Sequence, residues 1–113
     1  MGFELTKKDI IAMNEQFEDG SIVNEASLDF ALSYANRTEN WIKALAWIFR
    51  AILIDHVFEE GNKRTAMLVI KAYAEYRGHG VDNELILKLI KRTLLKNITS
   101  IRTIEEGLKD VIN

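Results

Sequence analysis

Apolar residues along the chain fall into stretches of helical period separated by short polar breaks. Pro is absent, so boundaries must come from Gly, Asn, Asp and Thr. Thr6 ahead of KKDIIAMNEQF, with Asp9 three residues on, is a capping box that opens a first helix. EDGS at 18–21 is a turn, and Ser21 to Val23 can run extended. Asn24 caps a second helix to about Asn36, and Thr38 a third to about Asp55. A fourth begins at Asn62 and stops before GHG at 78–80. Asp82 opens a fifth to about Lys96, and Thr103 with Glu106 caps a short sixth. The prediction is an all-α bundle of about six helices with a short extended flap.

The third helix organises the rest. Of the fourteen residues from Trp41 to Ile54, twelve are apolar, and the exceptions Lys43 and Arg50 are seven apart, on one narrow stripe. A helix this apolar is central. The fourth also has a wide apolar face, through Ala66, Met67, Val69, Ile70, Tyr73 and Ala74. These two should pack as the spine, with the others around them. Trp41, Trp47, Tyr73 and Tyr76 stand at helical spacing and read as core. On the fifth helix, Lys88, Lys91, Arg92 and Lys96 read as a solvated face opposite Leu85, Ile86, Leu89, Ile90 and Leu94. His79, between Gly78 and Gly80, reads as a turn residue past a helix end.

Composition narrows the setting. A length of 113 residues suits one domain with one core, spanning 1–113. No Cys means no disulfide and no thiolate metal site, which fits a reducing compartment. A net charge of -2 offers no electrostatic reason to bind nucleic acid. The start MGFELTKKDI lacks the apolar centre of a signal peptide, and the run from Trp41 to Ile54 falls short of the roughly 20 residues a membrane span needs. The expected location is the cytoplasm, with no membrane partner.

The two spine helices are joined by DHVFEEGNKRTA at 55–66, a polar interruption in the most apolar part of the chain. Each group in it has a use. Gly61 tolerates backbone angles that other residues resist. From Asn62 on, a new helix offers unpaired N–H groups and the positive end of its dipole, a cradle for an anion. Lys63 and Arg64 in that first turn oppose the dipole by roughly 0.3–1 kcal/mol each, a conflict that a bound phosphate relieves. Glu60 is a hard oxygen ligand suited to Mg²⁺ beside phosphates. His56 can take a proton near neutral pH. Phe58, apolar within a polar loop, anchors the loop in the core. Zinc is poorly served, since the chain has two His and no Cys. Taken singly, these residues also suit a solvated loop. Together, a base, a carboxylate, a glycine, a helix start and two cations within nine residues make a set for phosphoryl or nucleotidyl transfer.

HVFEEGNKR resembles the signature of the Fic/Doc family, His-x-Phe-x-(Asp/Glu)-(Gly/Ala)-Asn-(Gly/Lys)-Arg, through His56, Phe58, Glu60, Gly61, Asn62, Lys63 and Arg64. The resemblance covers nearly the whole chain, whose length is that of the Doc toxins of Phd/Doc toxin–antitoxin systems. It implies a helical Fic/Doc-like fold, ATP as substrate and Mg²⁺ as its companion. It also implies roles. His56 is the base for an acceptor hydroxyl, and Glu60 holds Mg²⁺. The Gly61 and Asn62 backbone, with the Asn62 side chain, forms the anion nest. Arg64 grips a terminal phosphate. Typical Fic enzymes carry Gly at the position of Lys63 and a second Arg at that of Met67, and transfer AMP. Lys63 and Met67 resemble the Doc pattern instead, which implies transfer of the γ-phosphate, with Lys63 joining the catalytic set. The implied target is a Thr hydroxyl of a translation elongation factor such as elongation factor Tu. Some relatives carry an inhibitory Ser/Thr-x-x-x-Glu-Gly/Asn segment. The nearest stretch here, SIVNEA at 21–26, ends in Ala and reads as turn and cap. Restraint would then come from a partner, a Phd-like antitoxin. Residues 20–24 match the place of the family's target-binding flap.

Overall fold

The structure, a computed structural model, describes residues 3–112. Its six helices are α1 (Lys7–Asn14), α2 (Glu25–Ala35), α3 (Trp41–Leu53), α4 (Asn62–Tyr76), α5 (Asn83–Leu95) and α6 (Ile101–Val111). The all-helical expectation holds. Among the described residues there is no sheet, only two isolated antiparallel bridges, Ile22 with Phe58 and Val81 with Ile112. No helix among them is long and apolar enough to cross a membrane.

α3 is the axis. It packs against α2, α4 and α6, while α4 also holds α1 and α5. Leu45, Ile48, Phe49 and Ile52 are fully enclosed, and Ala44, Ala46 and Ala51 let neighbouring helices come close. Lys43, Trp47 and Arg50 form the stripe that reaches the surface. On α4, Ala66, Val69, Ile70 and Tyr73 complete the spine. Burial pushes the Tyr73 phenol up to about 12.

Thr6 and Asp9 form the expected capping box. The Asp9 carboxyl lies below its ordinary range because the Thr6 N–H and hydroxyl bond it. α3 is capped by Asn40, whose Oδ1 accepts from the Lys43 N–H at 3.1 Å, and not by Thr38, whose hydroxyl accepts from the Asn40 N–H at 3.2 Å. α6 is longer than expected. Ser100 caps it, accepting from the Thr103 N–H at 3.3 Å. The earlier start adds Ile101 to the stripe of Ile104, Leu108 and Val111 that faces the core. After α4 ends at Tyr76 the chain turns at Gly78, at φ 74, with the His79 N–H on the Ala74 carbonyl at 2.9 Å, so His79 does sit in the helix-ending turn.

Two core assignments fail. Of the four large aromatics read as core, Tyr73 is buried, Trp41 and Trp47 are half-buried, and Tyr76 is 56% exposed. Leu85 and Leu94, placed on the inner face of α5, are exposed, while Ile86, Leu89 and Ile90 fill the core. α5 touches α4 and α6 along a strip narrower than its apolar face.

Candidate active site

α3 ends at Leu53, and residues 55–61 cross to α4. In this crossing the chain alternates between inside and outside. Val57 and Phe58 are completely buried, whereas His56, Glu59 and Glu60 are exposed. His56 has φ 60, a left-handed conformation that costs a non-glycine residue about 1–2 kcal/mol. Such strain persists only where surrounding contacts impose it. Here the contacts are plain. The Val23 and Asn24 N–H groups both reach the Val57 carbonyl, at 2.8 and 3.1 Å, and the Glu59 N–H reaches the Ser21 carbonyl at 2.9 Å. The extended segment at 21–23 is therefore a strap over the loop, centred on the bridge from Ile22 to Phe58. The Asn24 amide also donates to the Asp55 carbonyl at 2.9 Å. In the turn before the strap, the Ser21 hydroxyl and N–H hold the Asp19 carboxyl below its ordinary range.

Asn62 works from inside. Its Oδ1 accepts from the Phe58 N–H at 3.0 Å and its Nδ2 donates to the Phe58 carbonyl at 2.8 Å. The side chain thus braces the loop, and the anion-binding part of the nest falls to backbone N–H groups. Those groups are available. α1, α2, α3, α5 and α6 each have a side chain accepting from an N-terminal N–H. α4 starts on Gly61, at φ 82, with no side-chain cap.

Asn14, at the end of α1, is a residue that sequence reading passed over. It is 1% exposed, and its amide donates to the Glu60 carbonyl at 2.9 Å and the Thr65 hydroxyl at 3.1 Å, while its Oδ1 accepts from the Gly20 N–H at 2.9 Å. One side chain ties loop, helix start and turn together. Gly61 is pressed against it. A Cβ there would lie 2.7 Å from Glu18 Cγ and 3.0 Å from both Asn14 Nδ2 and Phe17 Cε2. Glu18 can swing aside, but Asn14 is pinned by three hydrogen bonds. Gly61→Ala, strained also by its positive φ, is expected to lose about 1–3 kcal/mol in a urea unfolding titration.

The exposed faces of these residues converge on a cleft of about 480 Å³, lined by His56, Glu60, Gly61, Asn62, Lys63 and Arg64, with Glu18, Leu53 and Leu94 closing it. Leu94 is one of the exposed α5 leucines, and with Leu53 it adds an apolar part to the lining. Among the described residues, neither Lys63 nor Arg64 forms an ion pair. Arg64 lies 5.5 Å from the centre of the Phe17 ring, a resting place that leaves its N–H groups open. Two cations, a helix N-terminus without a cap and an exposed imidazole thus share one wall. No group of three or more His, Asp or Glu among the described residues could hold a metal ion unaided. Glu60 and Glu18 are the two carboxylates that line the cleft, a set that suits Mg²⁺, an ion that keeps waters and takes one or two carboxylates plus substrate phosphates.

The arrangement is one in which an anion at the start of α4 would lie beside an exposed imidazole. The family model described as Fic/DOC family matches residues 4–74, from before α1 almost to the end of α4. No curated protein and no solved structure matches the chain. The matched span covers well over half of the 113 residues and includes the strap, the loop and the cradle, so the chain belongs to the Fic/DOC family, whose enzymes transfer a nucleotide or a phosphate to proteins.

Proposed function

We propose that this protein is a Doc-like kinase that moves the γ-phosphate of ATP to a hydroxyl of a protein, with a Thr of a translation elongation factor such as elongation factor Tu as target. The observation that carries the reading is the pair Lys63 and Met67. Lys63 is exposed in the first turn of α4 and lines the cleft. Met67, one turn on, is packed against the core, where a typical AMP-transferring relative has a phosphate-binding Arg. The cation is thus present at the mouth of the cradle and missing deeper along the helix. That favours a nucleotide lying with its terminal phosphate at the α4 N-terminus.

The backbone N–H groups at the start of α4, with Lys63 and Arg64, hold the γ-phosphate. Glu60 would hold Mg²⁺, which supplies charge neutralisation on the phosphate oxygens. An imidazole nitrogen of His56 accepts the proton of the acceptor hydroxyl. The hydroxyl oxygen forms its bond to the γ-phosphorus, the bond from that phosphorus to the bridging oxygen breaks, and ADP leaves. Restraint comes from a Phd-like antitoxin, and the setting is the cytoplasm. AMP transfer is the second reading, favoured by the shared His56–Arg64 run. There the hydroxyl attacks the α-phosphorus and pyrophosphate leaves.

ATP labelled at either the α- or the γ-phosphate separates the two. With purified elongation factor, label from γ alone is expected, and Lys63→Gly is expected to reduce it by about tenfold or more. Label from α overturns the kinase in favour of AMP transfer. Label from neither position, with antitoxin absent, overturns both in favour of a silent nucleotide- or partner-binding module.

A further inference from the structure

A second face of the molecule, built by α2, α3 and α6, takes no part in the cleft. Tyr34 and Trp47 stack there with ring centres 4.5 Å apart and planes 15° from parallel. Rings this close leave only their outer faces free, and each outer face carries a guanidinium. Arg37 lies 5.0 Å from the Tyr34 centroid and Arg50 4.6 Å from that of Trp47. The result is a four-layer stack of Arg, Tyr, Trp and Arg. Phe30, 53% exposed, closes on both rings at 5.0 and 6.0 Å and extends the apolar surface.

The two guanidiniums are fixed in place. Arg37 donates from Nε and Nη2 to the Ser33 carbonyl and hydroxyl, at 3.0 and 2.9 Å, and Arg50 donates from Nη1 to the Thr99 carbonyl at 3.1 Å. Each keeps further N–H groups unspent. Lys43 and Arg102 line the adjoining groove of about 800 Å³. None of these four cations forms an ion pair among the described residues, and Glu105 is the one acid among those lining the groove. A chain of net charge -2 has gathered unneutralised cations on one aromatic face.

We propose that this face is a docking site for an acidic segment of a partner protein, with carboxylates seated on Arg37, Arg50, Lys43 and Arg102 and apolar side chains against Phe30 and Trp47. Rigid aromatics and preorganised arginines are what strong protein contacts use. Charge complementarity selects the occupant. A single-stranded nucleic acid would also meet the cations, but it binds by laying successive bases on open ring faces, and here the faces of the Tyr34 and Trp47 rings are covered. The site is separate from the transfer cleft and does not depend on the reaction proposed for it. No residue lines both, and along α3 Lys43 and Leu53 are about 15 Å apart at 1.5 Å per residue. The segment therefore holds the partner without plugging the cleft.

The test uses the intact protein and three fluorescein-labelled probes of equal length: a peptide alternating Glu with Leu, the same peptide with Gln for Glu, and oligothymidylate. Fluorescence anisotropy is expected to show binding of the Glu peptide that weakens with salt. The affinity should fall about tenfold or more in Arg37→Gln/Arg50→Gln. Circular dichroism and transfer activity should be unchanged in that variant. Equal affinity for the Gln peptide, a preference for oligothymidylate, or no binding of the Glu peptide would each overturn the proposal. Should the double variant fold poorly, Lys43→Gln/Arg102→Gln, which removes two cations outside the aromatic stack, reads the same effect, and undiminished binding there also overturns it.

Discussion

His56→Ala is expected to abolish transfer, by about 10²–10⁴-fold in rate, while the protein stays folded. The side chain is exposed and makes no hydrogen bond among the described residues, so its removal leaves no buried group without a partner. The backbone at this position sets up a second comparison. At φ 60, Ala carries the left-handed cost that Gly escapes, so His56→Gly should unfold at higher urea than His56→Ala, by roughly 1 kcal/mol. Both should be equally inactive, since both lack the imidazole. Retained activity in either would remove His56 as the base. Lower stability in the Gly variant would mean that loop entropy outweighs the strain.

Phe58→Ala is expected to be the most destabilising single change in the loop. The ring is fully enclosed, and truncating such a phenylalanine costs about 3–5 kcal/mol. A domain of this size has about 5–15 kcal/mol in total, so the variant should sit near the edge of folding. Its backbone N–H and carbonyl are also the two partners of Asn62, and the Ile22 bridge is made to the same residue. Losing the ring loosens strap, loop and cradle together. Phe58→Leu refills much of the space and should recover more than half of the lost stability in a urea titration, and with it most of the transfer activity of a folded sample. An Ala variant as stable as the parent would show that the loop is held by its hydrogen bonds and not by the ring.

The parts of the site that could be read from the chain are those that lie close together in it. Phe58 as the loop's anchor follows from its large apolar ring in an otherwise polar stretch, where Val57 is the one other apolar side chain before Ala66. The helix start at Asn62 follows from Gly61 and the change of period after it. Lys63 and Arg64 in a first turn announce an electrostatic conflict wherever that turn sits. Asn14 could not be read this way. An Asn at the end of an amphipathic stretch is an ordinary helix terminus, and its value comes from Glu60 and Thr65, 46 and 51 residues on. Leu94 has the same history. Helical period placed it on the inner face of α5, and the limited contact of α5 with its neighbours left it exposed, bordering the cleft.

Trp47 shows the same division on the other face. Its spacing on a very apolar helix reads as core, and the one clue to the contrary is that it falls between Lys43 and Arg50 on the single polar stripe. Whether that stripe meets water or another helix depends on where α2 and α6 pack, and they pack so as to leave a groove. What the amino-acid order determined was local: six helices, a central α3, and a polar loop whose residues suit phosphate chemistry. Period, capping and backbone freedom act over a few residues and are written where they act. What only the tertiary structure decided was which distant side chains brace that loop, which leucines line the cleft, and which aromatics stay at the surface between arginines. Those depend on how whole helices share a limited interior, and no short stretch of chain carries that information.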